Sequence, residues 1–325
     1  MKTRMKHALV GIAITATALV AFPVAAQKYP DRPVRIINPF PTGGSGDTVA
    51  RIVFERVGAS MGVPFLIESR VGGGGSIGTE YVAKAAPNGY TLSWGTSSTF
   101  AVNPGIQKSL PYDPVKDFTP VAMLVSAPWL LLTHSSVPAT TVAELIAYAK
   151  ASGGKLNYGS YGSGASNHLA FELLRSVTGI EALHIPYKGG NPMLTALLAN
   201  EVQMTLDLPA SVMQYVKSGR IKLLGIAAAK RSPLMPDTPT LREQGYPIEA
   251  GSWFAILGPA SLPASIVATL NAEINKALAL PEVRDRLNAL GNEVVGGPPS
   301  ALSEIMARET ALWGKVARDR NLKLD

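Results

Sequence analysis

The sequence predicts an α/β protein built as two similar α/β lobes around a cleft, and three observations predict it. Short apolar strands alternate with stretches of helical periodicity, joined by Gly-rich loops. The same order of strand, loop and helix occurs twice, with Asn38 and Asn157, and Gly43 and Gly162, each 119 residues apart. A run of amphipathic helices then closes the chain after one last apolar strand. Composition agrees: 46% of the residues are hydrophobic, and 31 Gly with 25 Pro leave the chain well short of the low-complexity range of roughly a quarter or more.

The first 26 residues read as a secretory signal peptide. Lys2, Arg4 and Lys6 precede the charge-free stretch 8–20, and Val24-Ala25-Ala26 supplies small residues for cleavage. Pro23 ends the apolar run before the ~20 residues a membrane anchor needs. Removing the three basic residues takes Lys plus Arg from 30 to 27 against 23 acidic residues, a net +4 in place of +7. That excess is too small and too scattered for a nucleic-acid footprint. Export implies a periplasmic protein, and the absence of cysteine removes disulfides, thiol catalysis and lipid attachment through an N-terminal Cys.

Along the mature chain, Val34-Arg35-Ile36-Ile37 reads as a strand. Val49, Ile52, Val53, Arg56 and Val57 lie near helical spacing within 48–61. Phe65-Leu66-Ile67 is the next strand, a helix follows over 77–86, and 90–94 is a third strand. This opening favours a parallel sheet with helices on both faces. The pattern returns with a strand at 155–158, a helix at 166–178, a strand at 182–185 and a helix from near Pro192. Apolar strands at 221–227 and 252–257 precede Ile266, Leu270, Ile274 and Leu278 at steps of four. Helices that late need a surface, so the chain is expected to cross back near 251 and pack its tail on the first lobe. The expected domains are 27–127 plus 252–325 for lobe 1 and 128–251 for lobe 2.

Four loops carry the functional reading: 40–47, 72–78, 160–166 and 187–191. Each follows a strand and precedes a helix, so each is expected to present free backbone N–H groups and the positive end of a helix dipole. Glycine there permits positive φ and close approach to a ligand. In an open α/β sheet ligands lie at this edge, so two facing lobes direct all four loops at one anion. Asp47 is either a charge at a helix start or a group that meets a ligand donor. Phe40, Tyr187 and Trp253 border the mouth and could wall an aromatic ligand.

Catalytic patterns fare worse. Gly73 to Gly78 satisfies G-x-G-x-x-G, but no Asp or Glu occurs between Glu80 and Asp113 to hold a ribose. Gly74-Gly75-Ser76-Ile77-Gly78 satisfies G-x-S-x-G, which makes a secreted serine hydrolase using Ser76 the rival reading; the last histidine, His184, sits far from the C-terminus where that class places its base. His168 and Glu172 at i and i+4 offer two metal ligands where a site needs three or four, so neither metal nor cofactor is expected.

The runs Pro39-Phe40-Pro41-Thr42-Gly43-Gly44 with Asp47 and Arg51, 72–78, Leu110-Pro111-Tyr112-Asp113-Pro114, Tyr158-Gly159-Ser160 with Gly162 and His168, and Pro186-Tyr187-Lys188-Gly189 resemble the substrate-binding receptors of tripartite tricarboxylate transporters, the Bug or TctC-like proteins. The likeness continues through Ala229 to Pro233, Pro236 to Thr240 and Ser252-Trp253-Phe254, and spans the mature chain. It implies a periplasmic binding protein of the type II Venus-flytrap kind, a monomer without enzymatic activity. Such a receptor closes on a small carboxylate, di- or tricarboxylate and aromatic acids included, and delivers it to a permease of one large and one small membrane subunit. It places ligand contacts at Phe40, Thr42, Gly43, Gly44, Asp47, Ser76, Thr96, Ser160, Gly162, Ser163, His168, Gly189 and Asp207. Leu206, where the family usually has Phe, and Ala228, where a hydroxyl residue is common, depart from its pattern.

Overall fold

The computed structural model describes residues 29–322; the signal-peptide reading lies outside them. Two separate sheets form. The first contains β1 (Val34–Asn38), β2 (Phe65–Ser69), β3 (Thr91–Thr96), β4 (Phe118–Pro128), β10 (Gly251–Pro259) and β11 (Glu293–Val294), in the order β11-β4-β10-β3-β1-β2. The second contains β5 (Leu130–His134), β6 (Asn157–Ser160), β7 (Leu183–Pro186), β8 (Met204–Asp207) and β9 (Ile221–Ile226), in the order β7-β6-β8-β5-β9.

The two sheets share one topology. In each, the second strand, the first and the third lie side by side and parallel; then comes an antiparallel intruder, then the fourth strand. The intruders, β5 and β10, are the first strands the chain makes after crossing from the other sheet. The parallel opening expected over 34–94 forms as β2-β1-β3, and the intruder makes each sheet mixed.

β4 runs into β5 through the single residue Trp129, and β10 returns beside it. Trp129 N–H donates to Ala250 O at 3.0 Å, and Ala227 N–H donates to Trp129 O at 2.8 Å, so the crossing segments hold one another. Gly251 permits this contact, because a β-carbon there would lie 2.6 Å from the Ala127 carbonyl oxygen.

Helices cover the sheets: α1 (Ser45–Met61), α2 (Ser76–Ala83) and α3 (Asn103–Ile106) belong to the first, and α4 (Val142–Ala151), α5 (Ser166–Thr178), α6 (Gly190–Leu198) and α7 (Pro209–Lys217) to the second. The tail adds α8 (Ala264–Ala279), α9 (Pro281–Ala289) and α10 (Pro299–Asp319). Leu270, Ile274 and Leu278 of α8 are buried where it packs on α1 and β4. α10 lies against α3 but also touches α5, so the tail binds the first sheet and reaches the second. Ile36, Ile37, Leu92, Trp94 and Leu124 are fully buried in the first core; Leu130, Leu132, Leu197, Val202 and Val212 form a separate cluster in the second. No helix among the described residues is long and apolar enough to cross a membrane.

Candidate functional site

A doubly wound sheet binds ligands where its strand order reverses, at the carboxyl ends of the two central strands. Here those places lie between β1 and β3, and between β6 and β8. The first is bordered by the loop 39–44 and by Thr96 with the π-helical turn Ser98–Val102; the second by the loop 161–165 and Asp207. The two places meet: Ser98, just past β3, donates its hydroxyl to Ser166 at the head of α5 at 3.0 Å. Ser97 shares a hydroxyl bond of 3.1 Å with Ser252 on the returning strand.

Each loop is tied down by its own helix in the same way. Asp47, the third residue of α1, accepts Gly43 N–H at 3.2 Å and pairs with Arg51 at 2.9 Å. His168, the third residue of α5, accepts Gly164 N–H at Nδ1 at 3.0 Å. A side chain at this position reaching back to a donor ahead of the helix is the capping-box device. The equivalent positions, Gly43 with Gly164 and Asp47 with His168, are 121 residues apart, so the spacing of 119 read from sequence pairs residues two positions out of register.

This narrows the expectation of free N–H groups in the loops. Those of Gly43, Gly75, Gly162, Gly164 and Gly189 are bonded to Asp47, Gly72, Ser160, His168 and Tyr161 respectively. A short loop fixes its own shape with those bonds, and the open donors shift to the first helical turn, where no intrahelical acceptor exists. In lobe 1 these are the N–H groups of Ser45 and Gly46, with Gly44 beside them.

Thr42, Gly44 and Ser163 are exposed; Phe40, Gly162 and Gly189 are half-buried; Ser76, Thr96, Ser160, His168 and Asp207 are buried. Phe40 leans over the second loop, where a β-carbon on Gly75 would come within 3.4 Å of its ring. Trp253 does not reach the mouth: it is 2% exposed, and its indole N–H donates to Glu309 on α10 at 2.8 Å.

Ser160 and His184 share a 2.6 Å bond that resembles a nucleophile and its base. The geometry is structural, because Ser160 is wholly buried and its hydroxyl oxygen also accepts Gly162 N–H at 3.1 Å. His184 stacks on His168 with centroids 3.9 Å apart, and Tyr158 and Phe171 extend the column. Burial, followed by the adjacent His168, pushes His184 down to about 4; burial likewise lowers His168. Both rings are neutral at physiological pH. His134 bonds Ser136 on the second sheet at 2.7 Å, so each histidine of the described residues is engaged away from Ser76. Glu172 turns from His168 to Tyr158, Arg175 and Arg320, and no metal-binding cluster occurs among the described residues.

Sequence reasoning passed over Tyr161, Asn167 and Ser98. Asn167 accepts Tyr161 N–H at 3.1 Å and donates to Leu206 O at 3.1 Å, clamping the loop after β6 to the end of β8. The available signal was an amide residue in the first turn of a helix, a position suited to such local bonds.

Two sheets of one topology, crossed twice by the chain and facing each other with their ligand-binding edges, define a bilobal solute-binding protein. Comparison places it more closely. Residues 49–322 match the tripartite tricarboxylate transporter family receptor profile. The chain is 36% identical over 319 residues to protein BugT of Bordetella pertussis, covering 98% of each. Among solved structures, Rpa4515 of R. palustris with adipate superposes with a TM-score of 0.86 at 36% identity, over 90% of this chain and 99% of that one. MatC (Rpa3494) from Rhodopseudomonas palustris with bound malate gives 0.82 at 34% identity, over 89% and 99%. The chain belongs to the tripartite tricarboxylate transporter receptor family, whose members are periplasmic solute-binding proteins.

Proposed function

We propose that this chain, exported and freed of residues 1–26, is a monomeric periplasmic receptor that holds a small organic carboxylate between its lobes. It passes that acid, without chemical change, to a permease of one large and one small membrane subunit. Lobe 1 (27–127 and 252–325) and lobe 2 (128–251) close on the ligand about the Trp129 crossing. The observation that carries the reading is the Ser98–Ser166 bond, which joins the segment after β3 to the head of α5 and so supports one cleft shared by the two sheet edges. First-turn N–H groups at Gly44 to Gly46 and around Ser163, with the hydroxyls of Thr42, Ser76 and Thr96, supply donors for a carboxylate, and Phe40 supplies an apolar side. The carboxylate class is supported by adipate and malate on the two relatives.

A thermal-shift screen of mono-, di- and tricarboxylates, aromatic acids included, tests this. A ligand present at about 100 times its Kd stabilises the folded form by about 2.7 kcal/mol, and absence of a shift with every acid overturns the reading. Ser76→Ala separates the hydrolase alternative. Ester turnover that disappears with this hydroxyl would establish an enzyme, whereas a receptor shows no turnover before or after the change.

A further inference from the structure

Asp207 ends β8 and is completely buried. Its Oδ1 accepts Leu208 N–H at 2.6 Å and the hydroxyl of Tyr161, while its Oδ2 is buried with no partner. Tyr161 directly follows β6, so the pair bridges the two strands that flank the point where the strand order of lobe 2 reverses. The surrounding elements bring no opposing charge. β5 places Leu130 opposite Asp207, α5 sends Asn167 to the neighbouring Leu206 carbonyl, α6 presents Gly190 to the Tyr161 ring, α7 opens with Pro209, and Trp129 meets the edge of Tyr161. Among the described residues, Tyr161 is the one titratable side chain that acts on Asp207.

A buried carboxylate with one orphaned oxygen and no cation is a poor neighbour for an arriving anion, because a second negative charge in the same site disfavours ionisation. Protonation resolves this, turning Oδ2 from an acceptor into an O–H donor. We propose that Asp207 enters the ligand complex as a neutral carboxylic acid, so that the receptor takes up a proton with its anionic ligand and binds more weakly as the pH rises past neutrality. This rests on the carboxylate-receptor reading and adds a proton to it. Burial already pushes Asp207 up to about 7 in the free protein, against the opposing pull of Tyr161 and Leu208 N–H. Tyr161, itself raised by burial, remains a donor throughout. His168 and His184 are both lowered and contribute no protonation change above neutrality.

The experiment is calorimetric titration with adipate, malate or another acid positive in the screen, in buffers of different ionisation heat, from about pH 6 to 9, where such ligands stay ionised. Wild type is expected to take up almost no proton at the acid end and close to one at the alkaline end, with affinity falling about tenfold per pH unit there. Asp207→Asn should take up none and bind with a flat pH profile. Zero uptake by wild type, or an unchanged pH slope in Asp207→Asn, overturns the inference while leaving the receptor reading intact; binding by no acid removes both. Should the Asn variant fail to fold, Tyr161→Phe provides the second test, since losing a donor to the ionised form moves the break to higher pH, and an unmoved break counts against the proposal. Unfolding of the free protein gives a readout without ligand. Folding raises the proton affinity of Asp207, so its stabilising contribution is full below about pH 4 and is lost as pH climbs through about 7.

Discussion

Replacing Glu172 by alanine is expected to lower the unfolding free energy by about 3 kcal/mol, the lower end of what breaking a buried ion pair removes. The carboxylate is 2% exposed. One oxygen accepts the Tyr158 hydroxyl and the Arg175 guanidinium, each at 2.6 Å, and the other accepts Arg320 at 3.1 Å. Alanine leaves the Tyr158 hydroxyl buried without its acceptor, while Arg175 and Arg320 keep some access to water, which limits the loss. Arg320 follows α10 and so belongs to the first sheet, whereas Glu172 lies on α5 of the second. Arg320→Ala should therefore remove only about 1 kcal/mol, as for a partly exposed pair, and alter ligand affinity by changing how the lobes hold together. Denaturant unfolding measures both variants; a loss from Glu172→Ala no larger than that from Arg320→Ala would show that the buried carboxylate is not the centre of the cluster. Burial alone would raise Glu172, but Tyr158, Arg175 and Arg320 together bring it below the ordinary carboxylate range. Its contribution is therefore present at neutral pH and is lost as the pH falls through that lowered value.

The parts of this molecule legible in its sequence are those with a period. The sequence marks α5 at its observed bounds and β1, β2, β7, β9 and β10 within a residue or two, because apolar strands between Gly-rich loops leave a local trace. β4 and β5 left none. Residues 118–134 hold Val121 to Val125 and Trp129 to Leu132, buried almost throughout, so no alternation marks where one sheet ends and the next begins. β8 has four residues, Met204–Asp207, all buried, and disappears for the same reason. The loops between strand and helix are visible in the sequence, but their chemistry depends on which side chain reaches back from the helix. Asp47 and His168 occupy equivalent positions with unlike side chains. A sequence comparison that seeks identity misses that pair and settles on the nearer match of Gly43 with Gly162. The partnership of Asp207 with Tyr161 spans 46 residues and follows only from β6 and β8 being neighbours.

Gly78→Val is expected to weaken carboxylate binding by tenfold or more and to destabilise the fold by about 3 kcal/mol, at the upper end of the usual range for overpacking. Gly78 lies in α2, within the glycine-rich run that resembled two catalytic motifs. A β-carbon there would stand 2.6 Å from the Arg70 carbonyl oxygen, 3.0 Å from Pro39 Cα and 3.2 Å from Pro39 Cβ. The first two are backbone atoms, so no rotamer change relieves the clash. Pro39 directly follows β1 and Arg70 directly follows β2, so this one missing side chain lets both loops close on α2 and on each other. Close approach of a helix to the strand ends is also the role of the third glycine in the dinucleotide fingerprint, which explains the motif without any nucleotide. Gly43→Ala makes the contrast. Its β-carbon would meet nothing within 4 Å, and the strain comes only from φ of +82°, which costs about 1–2 kcal/mol and leaves the loops in register. Calorimetry and denaturant unfolding of the two variants side by side decide the matter. Equal losses of affinity would show that backbone freedom, and not the seating of α2 against both loops, governs the lobe 1 half of the site.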